Sequence, residues 1–215
     1  IGCLVGSEMC IRDRYVIDLS SEFRYEKDVP LVIPEINGDD ITNLQAPSLI
    51  ANPNCSTSQL LMAISPIHKE FVIDFLNVAT YQAVSGTGKQ AVQELQNQIK
   101  DKTSRQEVYP KQIAFNVIPQ CDIFLDNDFT KEEMKLVWET KKILDSSIEV
   151  QATCVRVPVL NGHSEAIFFR TKKETSRNQI IELLSNAPGI DVIDNPKSLE
   201  YPTPLENAND TEDVY

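Results

Sequence analysis

The sequence predicts an α/β or α+β domain built around one mixed sheet, and three observations lead there. Short apolar segments rich in β-branched residues alternate with stretches whose apolar residues recur at helical spacing. Several of the strand segments are apolar on both faces, as strands buried within a sheet are. Hydrophobic residues make up 41% of the 215, enough for the core of one domain, or of one domain and part of a second.

The elements follow in chain order. Residues 15–19 read as a buried strand, closed by a polar turn at Ser20, Ser21 and Glu22. Residues 31–33 and 48–51 are further short apolar runs bounded by proline and asparagine. The second runs into Asn52-Pro53-Asn54-Cys55-Ser56-Thr57-Ser58, after which Leu60, Leu61, Ile64 and Ile67 recur at helical spacing. That is a strand, a tight turn and a helix start. Pro66 should end or kink this helix. Residues 71–78 form a strong strand, and Ala91, Val92, Leu95 and Ile99 then mark an amphipathic helix. Residues 113–118 read as irregular or strand. Thr130 caps a helix whose apolar face is Met134, Val137, Trp138, Ile143 and Leu144, and Glu133 completes a capping box. Residues 150–159 and 166–171 are strands, Ser176 opens a last helix through Ile180, Ile181 and Leu184, and from Asn195 onward the chain is loop-like.

Composition narrows the class. A net charge of -12 argues against nucleic acid as a partner, because binders of phosphate backbones concentrate positive charge. An anionic substrate would need local arginines and lysines to overcome that field. No apolar run approaches the ~20 residues of a membrane helix, and no secretory signal is evident. The five cysteines, Cys3, Cys10, Cys55, Cys121 and Cys154, are odd in number and include no CxxC pair. Neither a disulfide framework nor a metal site is expected, and reduced thiols point to the cytoplasm. Seven glycines are few, and none lie in a G-x-G-x-x-G loop, so the dinucleotide-binding fingerprint is absent from this sequence. Ser85-Gly86-Thr87-Gly88-Lys89 is not a P-loop either, since that motif ends in Ser or Thr and Gln90 follows here.

Two residues invite chemistry. Cys55 sits at an expected helix N-terminus, where amides and the positive dipole end lower a thiol pKa from ~8.5 by one to several units. Cys121 and Cys154 lie in apolar or strand-like surroundings and read as small buried hydrophobes. His163 follows Gly162 at the end of an apolar strand, whereas the only other histidine, His68, lies at the polar end of a helix. If Cys55 is a nucleophile, His163 is its better partner. A Cys–His pair supports acyl transfer, proteolysis or aldehyde oxidation through a thiohemiacetal.

Longer strings narrow that choice. Asn54-Cys55-Ser56-Thr57, Tyr81-Gln82-Ala83-Val84-Ser85-Gly86 and the segment from Arg156 through Asn161-Gly162-His163-Ser164-Glu165 resemble the aspartate-semialdehyde dehydrogenases. So do Phe23-Arg24, residues 32–37, Glu132-Glu133-Met134-Lys135, residues 139–143 and residues 201–205. The resemblance runs from Tyr15 to the C-terminus.

It implies a mixed-sheet catalytic and dimerisation domain of the glyceraldehyde-3-phosphate-dehydrogenase-like type, with an incomplete Rossmann remnant before it. It also implies NADP-dependent reductive dephosphorylation of aspartyl phosphate in lysine, threonine and methionine biosynthesis, by a homodimer or homotetramer. Cys55 would be the nucleophile and His163 the acid/base. Gln82 would position the acyl group, with Asn54 helping to orient its oxygen. Arg156 would hold the substrate carboxylate, Glu132 its ammonium, and Lys135 and Arg24 the phosphate. Ser85 and Gly86 would flank the nicotinamide. Read from residues alone, Glu132 and Lys135 fit equally an i,i+3 surface pair, and Arg24 a solvated side chain. An unpaired Arg156 in a strand would be costly.

The nearest rival is an N-acetylglutamyl-phosphate reductase-like enzyme, whose nucleophile typically lies in a Gly-Cys-Tyr context. A non-catalytic oligomerisation fragment is the alternative of another class. The expected division is a non-native leader over residues 1–14, resembling translated adapter sequence, a remnant of the NADP-binding domain over 15–54, and the catalytic domain over 55–215. On that reading the chain is truncated at both ends, inactive as it stands, and exposes an apolar patch.

Overall fold

The computed structural model describes residues 14–101 and 105–215. All of the expected leader except Arg14 lies outside those residues, as do Cys3 and Cys10.

The described residues form two sheets. In the first, β1 (Tyr15–Asp18) pairs parallel with β2 (Ser48–Ala51), and the short α1 (Pro34–Asn37) lies in the connection. β2 feeds directly into α2 (Cys55–Phe71), followed by β3 (Ile73–Gln82), α3 (Lys89–Lys100) and α4 (Lys131–Ile143). Then come β4 (Glu149–Arg156), β5 (Ser164–Thr171) and α5 (Arg177–Ser185). The second sheet has the order β4-β3-β5, with β3–β4 parallel and β3–β5 antiparallel, which is the mixed sheet expected.

Its strands alternate as half-buried strands do. In β4, Val150, Ala152 and Cys154 are buried while Glu149, Gln151 and Thr153 are exposed. The buried side packs with Leu60, Leu61 and Ile64 of α2 and Leu136 of α4 into one core. The other side, with Asn77, Tyr81, Ala166 and Phe168, is open. Both capping boxes form: Thr130 with Glu133 on α4, and Ser176 with Gln179 on α5.

Four expectations need correction. β1 is not buried: Ile17 is 67% exposed, and Leu19 just after the strand 73%, because among the described residues the strand pairs only with β2 and no element covers that face. Pro66 does not end α2, which runs on to Phe71 with Ile67 and Phe71 packed in the core. The helix stops at Val72, whose left-handed φ of 60° ends the run. On α3, Ile99 points outward, and the polar Glu94 and Gln98 are buried beside Ala91 and Leu95. Their side chains accept main-chain amides of Val108 and Ile113, satisfying a loop that has no ladder of its own. On α4, the buried face is Glu132, Lys135, Leu136, Glu139, Thr140 and Ile143, and Trp138 is among the exposed residues.

Topology brings the ends of these strands together. The parallel strands β3 and β4 end in Gln82 and Arg156, and β2 of the smaller sheet leads into Asn54-Cys55. β5 runs the other way, so its start, where Ser164 faces Tyr81, lies at that same edge and carries His163 with it.

Candidate active site

Cys55 is the first residue of α2, as expected. Asn54 is its N-cap, its side-chain oxygen accepting the amides of Ser56 at 3.0 Å and Thr57 at 3.3 Å. The cap is itself pinned. The Asn54 amide donates to Glu139 at 2.7 Å, and its Nδ2 donates to Glu132 at 3.0 Å. Gln82, fully buried, donates from Nε2 to Ser56 Oγ at 2.8 Å and to Glu132 at 3.1 Å. Lys135 donates to the other Glu132 oxygen at 2.9 Å and to Asp122 at 2.8 Å. The Glu132–Lys135 pair is therefore a buried strut rather than a surface pair.

The charges follow from these contacts. Burial works against the Glu132 carboxylate, but Lys135, Asn54 and Gln82 outweigh it and hold the acid below its ordinary range. Burial likewise works against Lys135, yet Asp122 and Glu132 raise its pKa.

Around the sulfur the picture differs. His163 Nε2 lies 3.3 Å from Cys55 Sγ, and its Nδ1 accepts the Ala83 amide at 3.0 Å. Burial first, then the Arg156 guanidinium, push the ring down to about 4, with Glu132 opposing. Arg156, at the end of β4, donates from Nη1 to Ala83 O at 2.7 Å. Its buried Nε has no hydrogen-bond partner among the described residues, and neither has Gln82 Oε1. A Cβ at Gly86 would stand 3.1 Å from His163 Cε1 and 3.4 Å from Arg156 Nη1, so glycine leaves both side chains their room. The pocket so formed holds about 320 Å³ and is lined by Asn54, Cys55, Gln82, Gly86, Glu132, Lys135, Arg156 and His163, with Thr87 and Asp122.

The helix N-terminus does not lower the Cys55 thiol as expected. Although the residue opens onto the pocket, the burial of its sulfur and the Glu132 carboxylate raise its pKa, outweighing the Ser56 amide and Arg156. Burial raises the other two described thiols as well, Cys121 to about 11 and Cys154 further.

Two residues expected at the site stand away from this pocket. Arg24 is neither solvated nor in it: Nη1 pairs with Glu139 at 3.1 Å and Nε donates to Ser20 O at 3.0 Å. It reaches Asn54 only through Glu139. Ser85 does not line the pocket, and its amide is engaged by Leu160 O at 3.1 Å. Sequence reasoning missed Asp122, Thr87 and the Ala83 amide, which meet the site from loops and from main chain and carry no periodic signal. Among the described residues, no group of three or more His, Cys, Asp or Glu could hold a metal ion.

Two family models match the chain: the semialdehyde dehydrogenase dimerisation domain over residues 64–215, and the semialdehyde dehydrogenase NAD-binding domain over residues 6–44. The chain belongs to the semialdehyde dehydrogenase family. It is 50% identical over 205 residues to an aspartate-semialdehyde dehydrogenase of Shewanella violacea, covering 93% of this chain. With the enzyme of that name from Aquifex aeolicus it shares 48% over 196 residues and 88% of this chain. The chain spans 60% and 58% of those relatives' own lengths. Among solved structures, aspartate semialdehyde dehydrogenase II of Vibrio cholerae, complexed with ASA, superposes with a TM-score of 0.87 at 44% identity, covering 91% of this chain and 59% of that one. The mixed sheet is thus that of the glyceraldehyde-3-phosphate-dehydrogenase-like dimerisation domain, preceded by a stretch of the nucleotide-binding domain.

Proposed function

We propose that this chain carries the catalytic site of an aspartate-semialdehyde dehydrogenase, which reduces aspartyl phosphate to aspartate semialdehyde with release of phosphate. The observation that carries the proposal is the Cys55 sulfur at a capped helix start, 3.3 Å from His163 Nε2 and facing the partly unpaired Arg156. As thiolate, Cys55 attacks the acyl carbon, and phosphate leaves with the bonding pair to give a thioester. NADPH, when bound, supplies the hydride that reduces this thioester. The resulting oxyanion collapses, expels the Cys55 thiolate and leaves the aldehyde.

The other roles follow from placement. Arg156 has a spare buried donor suited to a carboxylate, which guanidinium binds with two parallel hydrogen bonds. Lys135 lies in the pocket as a cation for phosphate, and Glu132 as an anion for the substrate's ammonium. Gln82 and Asn54 keep the sulfur in register with both. Arg24 would join Lys135 as a cation for phosphate, held in place by Glu139, which also holds the Asn54 cap. The side chain missing at Gly86 leaves a flat approach beside His163, which fits the nicotinamide, with Ser85 next to it. We assign residues 15–54 to the nucleotide-binding part and 55–215 to the catalytic part. A homodimer or homotetramer accords with the matched dimerisation domain and with the open sheet face, where Phe168 is 67% exposed. The free thiols of Cys121 and Cys154 accord with the cytoplasm.

The test is phosphate-dependent oxidation of aspartate semialdehyde with NADP by protein containing this segment, and by Cys55→Ser. Turnover that vanishes with the thiol supports the reading. Preference for N-acetylglutamate semialdehyde, or full activity in Cys55→Ser, contradicts it.

A further inference from the structure

We infer that Asp122 sets how tightly the site holds phosphate, by competing with the phosphoryl group for the Lys135 ammonium. The inference deepens the proposed function and rests on its reading of Lys135 as a cation for phosphate. Lys135 Nζ meets two carboxylates, Glu132 Oε2 at 2.9 Å and Asp122 Oδ2 at 2.8 Å. A lysine ammonium has three N–H donors, so these contacts commit two of them.

The two carboxylates are held differently. Glu132 stands three residues before Lys135 on α4, its side chain is 8% exposed, and Asn54 and Gln82 donate to its other oxygen. It is a fixed partner that suffices to aim the ammonium. Asp122 comes from the loop between α3 and α4, and its side chain is 32% exposed. Its carboxylate has one other hydrogen bond among the described residues, from the adjacent Ile123 amide to Oδ1 at 2.8 Å. Burial works against the charged form, but Lys135 and that amide outweigh it and hold the acid below its ordinary range.

Charge makes the second carboxylate costly to an incoming anion. Arg156 and Lys135 in the pocket are matched by Glu132 and Asp122. On a chain of net charge -12, a balanced pocket offers an anion little net field. Glu132 cannot yield without releasing Asn54 and Gln82. Asp122 can: turning Oδ2 toward water keeps the Ile123 contact through Oδ1 and gives up one partly exposed ion pair, which is a small loss. Lys135 then exchanges a monoanion for a dianion. The competition also runs in reverse. Once phosphate has left the acyl carbon, Asp122 takes Lys135 back and favours its departure.

Replacing Asp122 tests this, because a competitor and a support change affinity in opposite directions. Asp122→Asn removes the charge and keeps the shape, and asparagine tolerates the left-handed backbone found there, φ 68°. Asp122→Gly, equally suited to that φ, is the second variant. Inorganic phosphate is titrated calorimetrically into the 215-residue chain and each variant at about pH 8, where it is mainly the dianion. Circular dichroism checks the fold, and Lys135→Met marks the site. The Kd is expected to fall about fivefold in both Asp122 variants, the scale of one partly exposed ion pair, and binding to vanish in Lys135→Met. An unchanged or weaker Kd in the folded Asp122 variants, with binding still lost in Lys135→Met, overturns the inference and leaves the phosphate role of Lys135 standing. Unfolding of both Asp122 variants makes the residue a structural support and overturns it too. Equal binding by the parent and Lys135→Met, or none by any of these chains, removes the reading of Lys135 and the inference with it.

Discussion

The two sheets of this chain both contain a parallel pair, yet they are held in different ways. Beneath β3 and β4, Leu76, Val78 and Cys154 are fully buried against α2 and α4, whereas on β1 Tyr15 and Ile17 are 55% and 67% exposed. A strand pair alone is marginal; a covering layer makes it stable. The small sheet is instead tied across to α4 by side chains. Arg24 and Tyr25 reach Glu139, Tyr25 meets Trp138 edge-on at 5.2 Å, and Lys142 donates to the carbonyls of Arg24, Glu26 and Val29. This tie to α4 is polar, while Leu31, Ile33 and Ala51 join the apolar core with α2 and β3, and the pocket lies beside the tie because Glu139 also holds the Asn54 cap.

That contrast can be broken most sharply at Glu139, whose side chain is fully buried. Glu139→Gln leaves the Arg24 guanidinium buried without its counter-charge, and should cost about 3–5 kcal/mol in urea unfolding. A loss below about 1 kcal/mol would show that the tie is not electrostatic. Lys142→Met releases three carbonyls at the edge of the same junction, and about 1–2 kcal/mol is expected by the same measurement.

Within the covered sheet, Glu165 makes stability depend on pH. Burial pushes this β5 carboxyl up to about 8, partly offset by Gln59, from an ordinary 4.5. Because the folded value is the higher one, its contribution is complete below the unfolded pKa and is lost as pH rises through about 8. Glu165→Gln should therefore flatten the fall in Tm between about pH 5 and about pH 8.5, and an unchanged slope would assign that fall to other groups. The smallest effect is expected at Ile17→Ala, within about 0.5 kcal/mol of the parent, because a side chain already in water has no burial to lose. A cost of several kcal/mol there would mean that something covers β1 in solution.

The same contrast separates what was legible in the sequence from what was not. Capping boxes at Thr130 and Ser176, and the helix start at Cys55, are local patterns of a few residues, and they appear as read. The strands beneath the core follow from β-branched, alternating text. The inner face of α4 could not be read this way. Glu132, Lys135 and Glu139 are polar because they look into a site, and hydrophobic periodicity counts such residues as solvent-facing. Exposure of β1 was illegible for the converse reason: apolar alternation tells which face wants cover, not whether an element arrives to supply it. The Ala83 amide and His163 are 80 positions apart, and no local pattern announces a contact made by main chain. The raised Cys55 thiol is of the same kind, since Glu132 and the crowding that raise it come from elsewhere in the chain.

The central claim is that Cys55 is the acyl acceptor in a site already assembled within these residues, and acyl transfer can be tested without nucleotide. The folded chain, with its content of helix and strand checked by circular dichroism, would be mixed with aspartyl phosphate. Intact mass, peptide mapping and released phosphate are then followed together. The account predicts one hydroxylamine-labile acyl group per chain, located on Cys55, with an equivalent of phosphate released and neither event in Cys55→Ser. Acylation at Cys121 or Cys154 instead, or phosphate release that persists in Cys55→Ser, would contradict it.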